Sequence, residues 1–138
     1  MRIAAEAARR RFAGARVAVL ATVSRDGRPH LVPVTFAVAG DVIYSAVDAK
    51  PKSTRDLQRL RNIRHDPRVS VLADRYDVDW AALWWVRADG AAAIIDDPAE
   101  MTGPLGLLAG RYRQYQASPP AGPVIAIAVT RWTGWSAS

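Results

Sequence analysis

Lys50 and Lys52 are the only lysines among the 19 basic residues of this chain. One proline separates them, and Ser53-Thr54-Arg55 follows directly. From Lys50 to Arg68 there are seven basic and two acidic residues, a net +5 of the chain's +6. The apolar run Val42 to Val47 precedes this stretch, and a helix-like pattern follows it. Where a strand hands over to a helix, free backbone N–H groups meet the positive end of the helix dipole. Lysine beside such a junction is a rotatable point charge suited to phosphate or carboxylate. The chemistry this predicts is the grip of an anionic group, with Lys50 and Lys52 supplying the charge.

The remaining reactive side chains mostly exclude function classes. There is no cysteine, which removes disulfides, thiolate nucleophiles and cysteine-ligated metals. His30 and His65 are far apart without ligand spacing, so no metal site is expected. No Ser/His/Asp or nucleophile-elbow pattern occurs, and no glycine-rich phosphate loop. Neither histidine is placed near a substrate, so no catalytic residue is assigned. A pI near 10.5 raises nucleic-acid binding as a rival. However, the basic residues alternate with core-type residues and no nucleic-acid motif is present, so no such partner is expected. Arg55, Arg59, Arg61 and Arg64 form a charged helix face of the kind that is ordinarily solvated. One or two of them could still pair with an acidic ligand. The five tryptophans read first as core or interface anchors. Alternation along a strand puts Trp84 and Trp85 on opposite faces, so they cannot both line one pocket.

The elements that must position these residues follow from periodicity. Residues 2–13 read as a helix. Val17 to Val23, His30 to Val38 and Val42 to Val47 read as three strands, joined by turns at Asp26-Gly27 and Ala39-Gly40-Asp41. Together they predict an antiparallel meander. Pro33 inside the second strand implies an edge, a bulge or a ligand's approach. A helix with Ser53 or Thr54 as N-cap and an inward stripe of Leu57, Leu60 and Ile63 ends at Asp66-Pro67. Arg68 to Ala73 and Trp80 to Arg87 are strands. Ala88-Asp89-Gly90 is expected to turn the chain back into Ala91 to Ile95 as a second hairpin. A helical stretch from Asp97 to about Tyr115 is expected to break near Gly103-Pro104. The apolar run Val124 to Val129 is a last, central strand. At 138 residues the chain reads as one domain, 1–138, mainly β, with strands closing into a small antiparallel barrel and helices outside. It shows no membrane span or secretory signal, and the expected location is the cytoplasm.

The stretches 20–34 (LATVSRDGRPHLVPV), 43–52 (IYSAVDAKPK) and 62–71 (NIRHDPRVSV) carry a resemblance. With them, the chain resembles the split β-barrel family of pyridoxamine-phosphate-oxidase type, an FMN-binding-protein-like fold. Adding 83–90 (LWWVRADG) and 131–135 (RWTGW), it looks like the actinobacterial branch that uses the deazaflavin coenzyme F420. The resemblance covers nearly the whole chain. It implies a homodimer with cofactors at the subunit interface. The cofactor ring would rest on the second and third strands, on Val32, Pro33, Val34 and Thr35 and on Ser45, Ala46 and Val47. Its phosphate would meet Lys50, Lys52 and Ser53, and Asn62 would add a polar contact. Trp80 and Trp85 would approach from the other subunit. No histidine follows His65, which argues against pyridoxamine phosphate as substrate. The expected activity is hydride transfer between reduced F420 and a small-molecule acceptor. The alternatives are an FMN-binding oxidase or reductase of the same fold, and a non-catalytic F420 carrier or sensor.

Overall fold

The computed structural model describes residues 1–48 and 57–138. The described strands are β1 (Arg2–Ile3), β2 (Ala18–Val23), β3 (Pro29–Val34), β4 (Ala37–Ala39), β5 (Val42–Ala46), β6 (Arg68–Arg75), β7 (Trp84–Ile95) and β8 (Val124–Ser136). The helices are α1 (Ala5–Ala13), α2 (Gln58–His65), α3 (Pro98–Arg111) and α4 (Arg113–Ala117). All strand pairs are antiparallel, in the path β3-β2-β6-β7-β8-β5-β4, with β1 added along the end of β8. The chain is therefore mainly β with flanking helices, as expected.

The meander is where expectation and structure part. The run His30 to Val38 is not one strand. It breaks at Thr35-Phe36, and its halves, β3 and β4, lie at opposite ends of the sheet path. From Val34 to Ala37 the chain can reach at most about 11 Å. The sheet must therefore curl until its two ends adjoin, which makes a barrel closed by a short length of chain rather than by a ladder. At this seam side chains replace the missing ladder partners. Ser45 Oγ donates to the Thr35 carbonyl at 2.8 Å, and the Phe36 N–H donates to Tyr112 Oη at 3.1 Å. Arg111 Nη1 donates to the Phe36 carbonyl at 2.7 Å.

Inside the barrel, Leu20, Phe36, Ile43, Val71, Val86 and Ile127 pack with Ala8 and Phe12 of α1. Phe12 plugs one end, its ring 4.7 Å from Phe36 and 5.4 Å from the indole of Trp132 in an edge-to-face contact. A second, smaller core beside the seam joins Met101, Leu108 and Tyr112 to Ala37, Ala46 and Val124.

Four other expectations need correction. Ala88-Asp89-Gly90 is not a turn. β7 runs straight through it, with a bulge at Asp89/Gly90 against β8. Gly90 is there because a Cβ would sit 2.2 Å from the Ala128 carbonyl oxygen. Asp89 earns its place by accepting from Ser70 Oγ at 2.6 Å across the sheet. The break at Gly103-Pro104 is likewise absent: α3 continues past Pro104. Buried Met101 and Leu108 anchor it on either side, and the carbonyl that Pro104 leaves unpaired belongs to exposed Glu100. Helix α2 begins at Gln58 with Leu57 as N-cap and no side-chain capping bond; the expected caps, Ser53 and Thr54, lie outside the described residues. Finally, Trp80 lies in a 3-10 turn, Trp80–Ala82, and the strand starts at Trp84. The inward stripe of α2 is as expected, with Leu60 and Ile63 buried and Leu57 packed against the core.

At the end of α2 the Arg68 guanidinium donates to both Asp66 carboxylate oxygens, at 3.0 and 2.8 Å. That bond, with the Arg68 backbone N–H, holds the Asp66 carboxyl down at about 2. Because the folded value lies below the unfolded one, the stabilisation is complete above about pH 4 and lost as pH falls through about 2. Asp66→Asn is expected to flatten the fall in melting temperature across that window, as read by thermal melts at successive pH values.

Candidate functional site

The closing seam makes a cleft. Pro33, Val34 and Thr35 leave the end of β3, and Ser45, Ala46 and Val47 leave the end of β5. These residues line one cavity of about 210 Å³. The ladder continues past β5 here: the Val47 N–H donates to the Pro123 carbonyl at 3.0 Å. Arg59 of α2, Asp48 and Tyr115 of α4 complete the walls with Leu57. Burial draws the Arg59 guanidinium down from its usual range, though a guanidinium stays a cation at any ordinary pH. Among the described residues the cleft thus offers a backbone platform with small side chains, the half-buried positive charge of Arg59 and the side chain of Asp48.

Of the residues expected to seat a ring, Val32 is the one that does not line the cleft. It packs against the barrel core instead. Ser45 is buried, and its hydroxyl proton is committed to the Thr35 carbonyl. Lys50, Lys52 and Ser53 lie outside the described residues. The described residues on either side, Asp48 and Leu57, both line the cleft.

Asn62 lies elsewhere. It is buried, donating from Nδ2 to Thr22 Oγ1 at 3.0 Å and accepting from Gln58 Nε2 at 2.6 Å. Gln58, Arg61, Asn62 and His65 share one face of α2 and line a separate pocket with Arg25 and Arg64. Arg59 is about 100° round the helix from Gln58 and turns to the cleft instead. Sequence periodicity spreads these arginines over the faces outside the apolar stripe and does not single out the one that reaches the cleft.

Neither Trp80 nor Trp85 lines the cleft of its own chain. Trp80 is exposed. Trp85 lies on the outer face of β7, where the Arg87 guanidinium stands 5.8 Å from its ring centre, while Trp84 packs against the core.

A second cavity of about 330 Å³ adjoins the cleft and shares Thr35, Asp48 and Tyr115 with it. Tyr112, Gln114 and Ser118 complete its lining. Thr35 Oγ1 and Tyr115 Oη are hydrogen-bonded at 2.6 Å. The tyrosines were not legible as site residues, because a helical stretch carries no sign of which cavity its side chains will reach. Among the described residues no cluster of His, Cys, Asp or Glu could hold a metal ion. No described helix is long and apolar enough to cross a membrane. The arrangement suits a flat organic group with an anionic tail.

An antiparallel barrel closed by a two-residue link, with helices outside and a cleft at that seam, defines the split-barrel class. Residues 4–136 match the pyridoxamine 5'-phosphate oxidase family, and the chain belongs to it. Among solved structures, a conserved hypothetical protein of Mycobacterium tuberculosis is 26% identical with a TM-score of 0.73, over 98% of this chain and 85% of that one. A FAD-binding protein of Mesorhizobium loti is 20% identical with a TM-score of 0.71, over 97% and 93%. A haem storage protein of Vibrio cholerae is 15% identical with a TM-score of 0.69, over 94% and 91%. Among curated proteins no sequence match exists.

Proposed function

We propose that this chain is a coenzyme F420-dependent oxidoreductase, moving a hydride between the reduced deazaflavin and a small-molecule acceptor. The observation that carries this reading is the seam cleft. There the ends of β3 and β5, the cation of Arg59 and both flanks of the Lys50–Lys52 segment converge. A flavin-type ring is supported by the family and by the FAD-binding neighbour of the same fold. The choice of deazaflavin rests on the resemblance of 83–90 and 131–135. When bound, the reduced deazaflavin supplies the hydride. Pro33 to Thr35 and Ser45 to Val47 seat and orient the ring. Arg59, Lys50, Lys52 and Ser53 hold the anionic portion.

The working unit in this reading is a homodimer. Val19, Leu31, Leu72 and Trp135 are exposed on the outer face of β3-β2-β6-β7-β8, an apolar surface of the kind that marks association. Exposed Pro33 belongs to both this face and the cleft, so a second copy seated here walls the cleft and keeps water out. Trp80 and Trp85 of that copy are the aromatic residues offered to the ring.

Fluorescence titration with F420 and FMN side by side tests the reading. Quenching of F420 at micromolar concentration, with weaker FMN binding, is the expected result. Leu31→Asp with Leu72→Asp should yield a monomer by sedimentation and weaken F420 binding. Protein that purifies yellow and prefers FMN overturns the deazaflavin assignment, and tight F420 binding with no acceptor ever reduced identifies a carrier.

A further inference from the structure

We infer that the pocket between α2 and the β2-β3 turn is a second anion site, separate from the cofactor cleft, and that it takes a small oxyanion with more than one phosphate or carboxylate group. This does not depend on the cofactor reading above.

Charge is the first argument. The pocket holds about 350 Å³, the size of a small-ligand site, and is lined by Arg25, Gln58, Arg61, Asn62, Arg64 and His65. Among these described residues there is no carboxylate. Two carboxylates stand next to the lining in sequence, Asp26 beside Arg25 and Asp66 beside His65, and both are engaged elsewhere. Asp26 accepts from Ser24 Oγ and from the Arg28 N–H within its own turn. Asp66 takes the fork of Arg68 at 3.0 and 2.8 Å, and that pair lines a different cavity with Val69 and Ser70. The helix alone does not explain the gathering of cations. Basic residues in a last turn meet the negative end of the helix dipole, which accounts for Arg64 and His65. It does not account for Arg61, a turn earlier, or for Arg25, which arrives from another element. Arg61 and Arg64 stand three residues apart, where like charges repel, and a bound anion offsets that repulsion.

Construction is the second argument. The floor of the pocket is a chain of bonded side chains. Arg61 Nη2 donates to Gln58 Oε1 at 2.6 Å, Gln58 Nε2 donates to Asn62 Oδ1 at 2.6 Å, and Asn62 Nδ2 donates to Thr22 Oγ1 at 3.0 Å. Asn62 and Thr22 are each 1% exposed, so the chain is anchored in the barrel wall. It ties the Arg61 guanidinium to the sheet, which lowers the entropy lost when that group closes on an anion. The turn that carries Arg25 is braced as well: the Ser24 N–H donates to the Arg28 carbonyl at 3.0 Å and the Gly27 N–H to the Ser24 carbonyl at 2.8 Å. A guanidinium's planar fork matches two oxygens of a phosphate or carboxylate. Forks brought from two separate elements to one space suit a ligand with more than one anionic group.

Arg59 marks the boundary with the cofactor cleft. It follows Gln58 in sequence but points about 100° away round the helix, so α2 itself stands between the two sites.

Tripolyphosphate and citrate are the probes, titrated into the full chain at about 0.15 M salt. NMR follows the side-chain amide resonances of Gln58 and Asn62, which report on this pocket alone. Both amides should shift saturably, and the tighter probe gives the class of ligand. Arg25→Ala and Arg61→Ala should each weaken binding about tenfold, the loss of one charge-assisted bond. Arg25 is exposed, so Arg25→Ala should fold as wild type and carries the test if Arg61→Ala disturbs the helix. Lys50→Ala with Lys52→Ala should leave these shifts intact, which separates this site from the cofactor reading. No saturable shift, or equal affinity in Arg25→Ala, overturns the assignment. So does displacement of the probe by F420 or FMN, which would make the pocket part of the cofactor seat. An oligonucleotide that binds tighter than either probe, with shifts well beyond the pocket, overturns it in favour of a nucleic-acid face.

Discussion

Gly90→Ala is expected to lower stability by about 3 kcal/mol, near the upper end of ordinary overpacking costs. For a chain of this size that is a drop in melting temperature of about 10 °C. The reason is local and steric. A Cβ at residue 90 meets the Ala128 carbonyl oxygen at 2.2 Å and the Ala128 carbonyl carbon at 2.9 Å. Both are backbone atoms of β8, which is held along its length by β7 and along its first half by β5. No side chain can rotate away to relieve the contact, so the central ladder of the barrel must shift. The same substitution at Gly103 provides the contrast. There a Cβ meets nothing within 4 Å on a helix, so Gly103→Ala should stabilise by about 0.5–1 kcal/mol. Denaturant unfolding of the two variants should therefore give opposite signs. A Gly90→Ala protein as stable as wild type would refute the close-approach account of the bulge.

Lys50→Ala with Lys52→Ala is expected to weaken cofactor affinity by 100-fold or more while the melting temperature of the apo protein stays put. A hydrogen bond to a charged group contributes about 1.5–3 kcal/mol, and two such bonds lost together exceed a hundredfold in the binding constant. Arg59 remains in the cleft of the double variant, so residual binding should persist and should strengthen at low salt. Fluorescence titration over a range of ionic strength reads both effects. Affinity equal to wild type in the double variant removes the lysines from the site and leaves Arg59 as the anion's partner. A fall in apo stability would instead give the lysines a structural role.

Much of the element inventory is legible from composition and periodicity. The apolar, valine-rich run Val17 to Val23 and the Asp26-Gly27 turn locate the β2-β3 hairpin, and the structure pairs Ala18–Val23 with Pro29–Val34 residue for residue. The apolar run beginning at Val124 reads as central, and β8 pairs with β7, β5 and β1. The misreadings share a cause. Asp89-Gly90 and Gly103-Pro104 have the composition of breaks, yet neither breaks its element. In the first, another backbone passes too close for any side chain. In the second, buried neighbours outweigh one missing hydrogen bond. Both are decided by residues distant in sequence, which local propensity does not register.

The site divides in the same way. The sequence by itself determines that charge gathers between Lys50 and Arg68, that no thiol is on offer, and that strands flank the basic stretch. These are properties of residue type and order. Only the tertiary structure decides that Thr35-Phe36 splits a strand between the two ends of a sheet, and so opens a cleft at the seam. It also sends Arg59 into that cleft and Asn62 into a separate pocket, and it sets Tyr115 in the lining of both the cleft and the cavity beside it. The physical reason is that a cleft belongs to the curling of the whole sheet. The two residues linking β3 to β4 can close the barrel only if all the intervening strands twist far enough to bring its ends together.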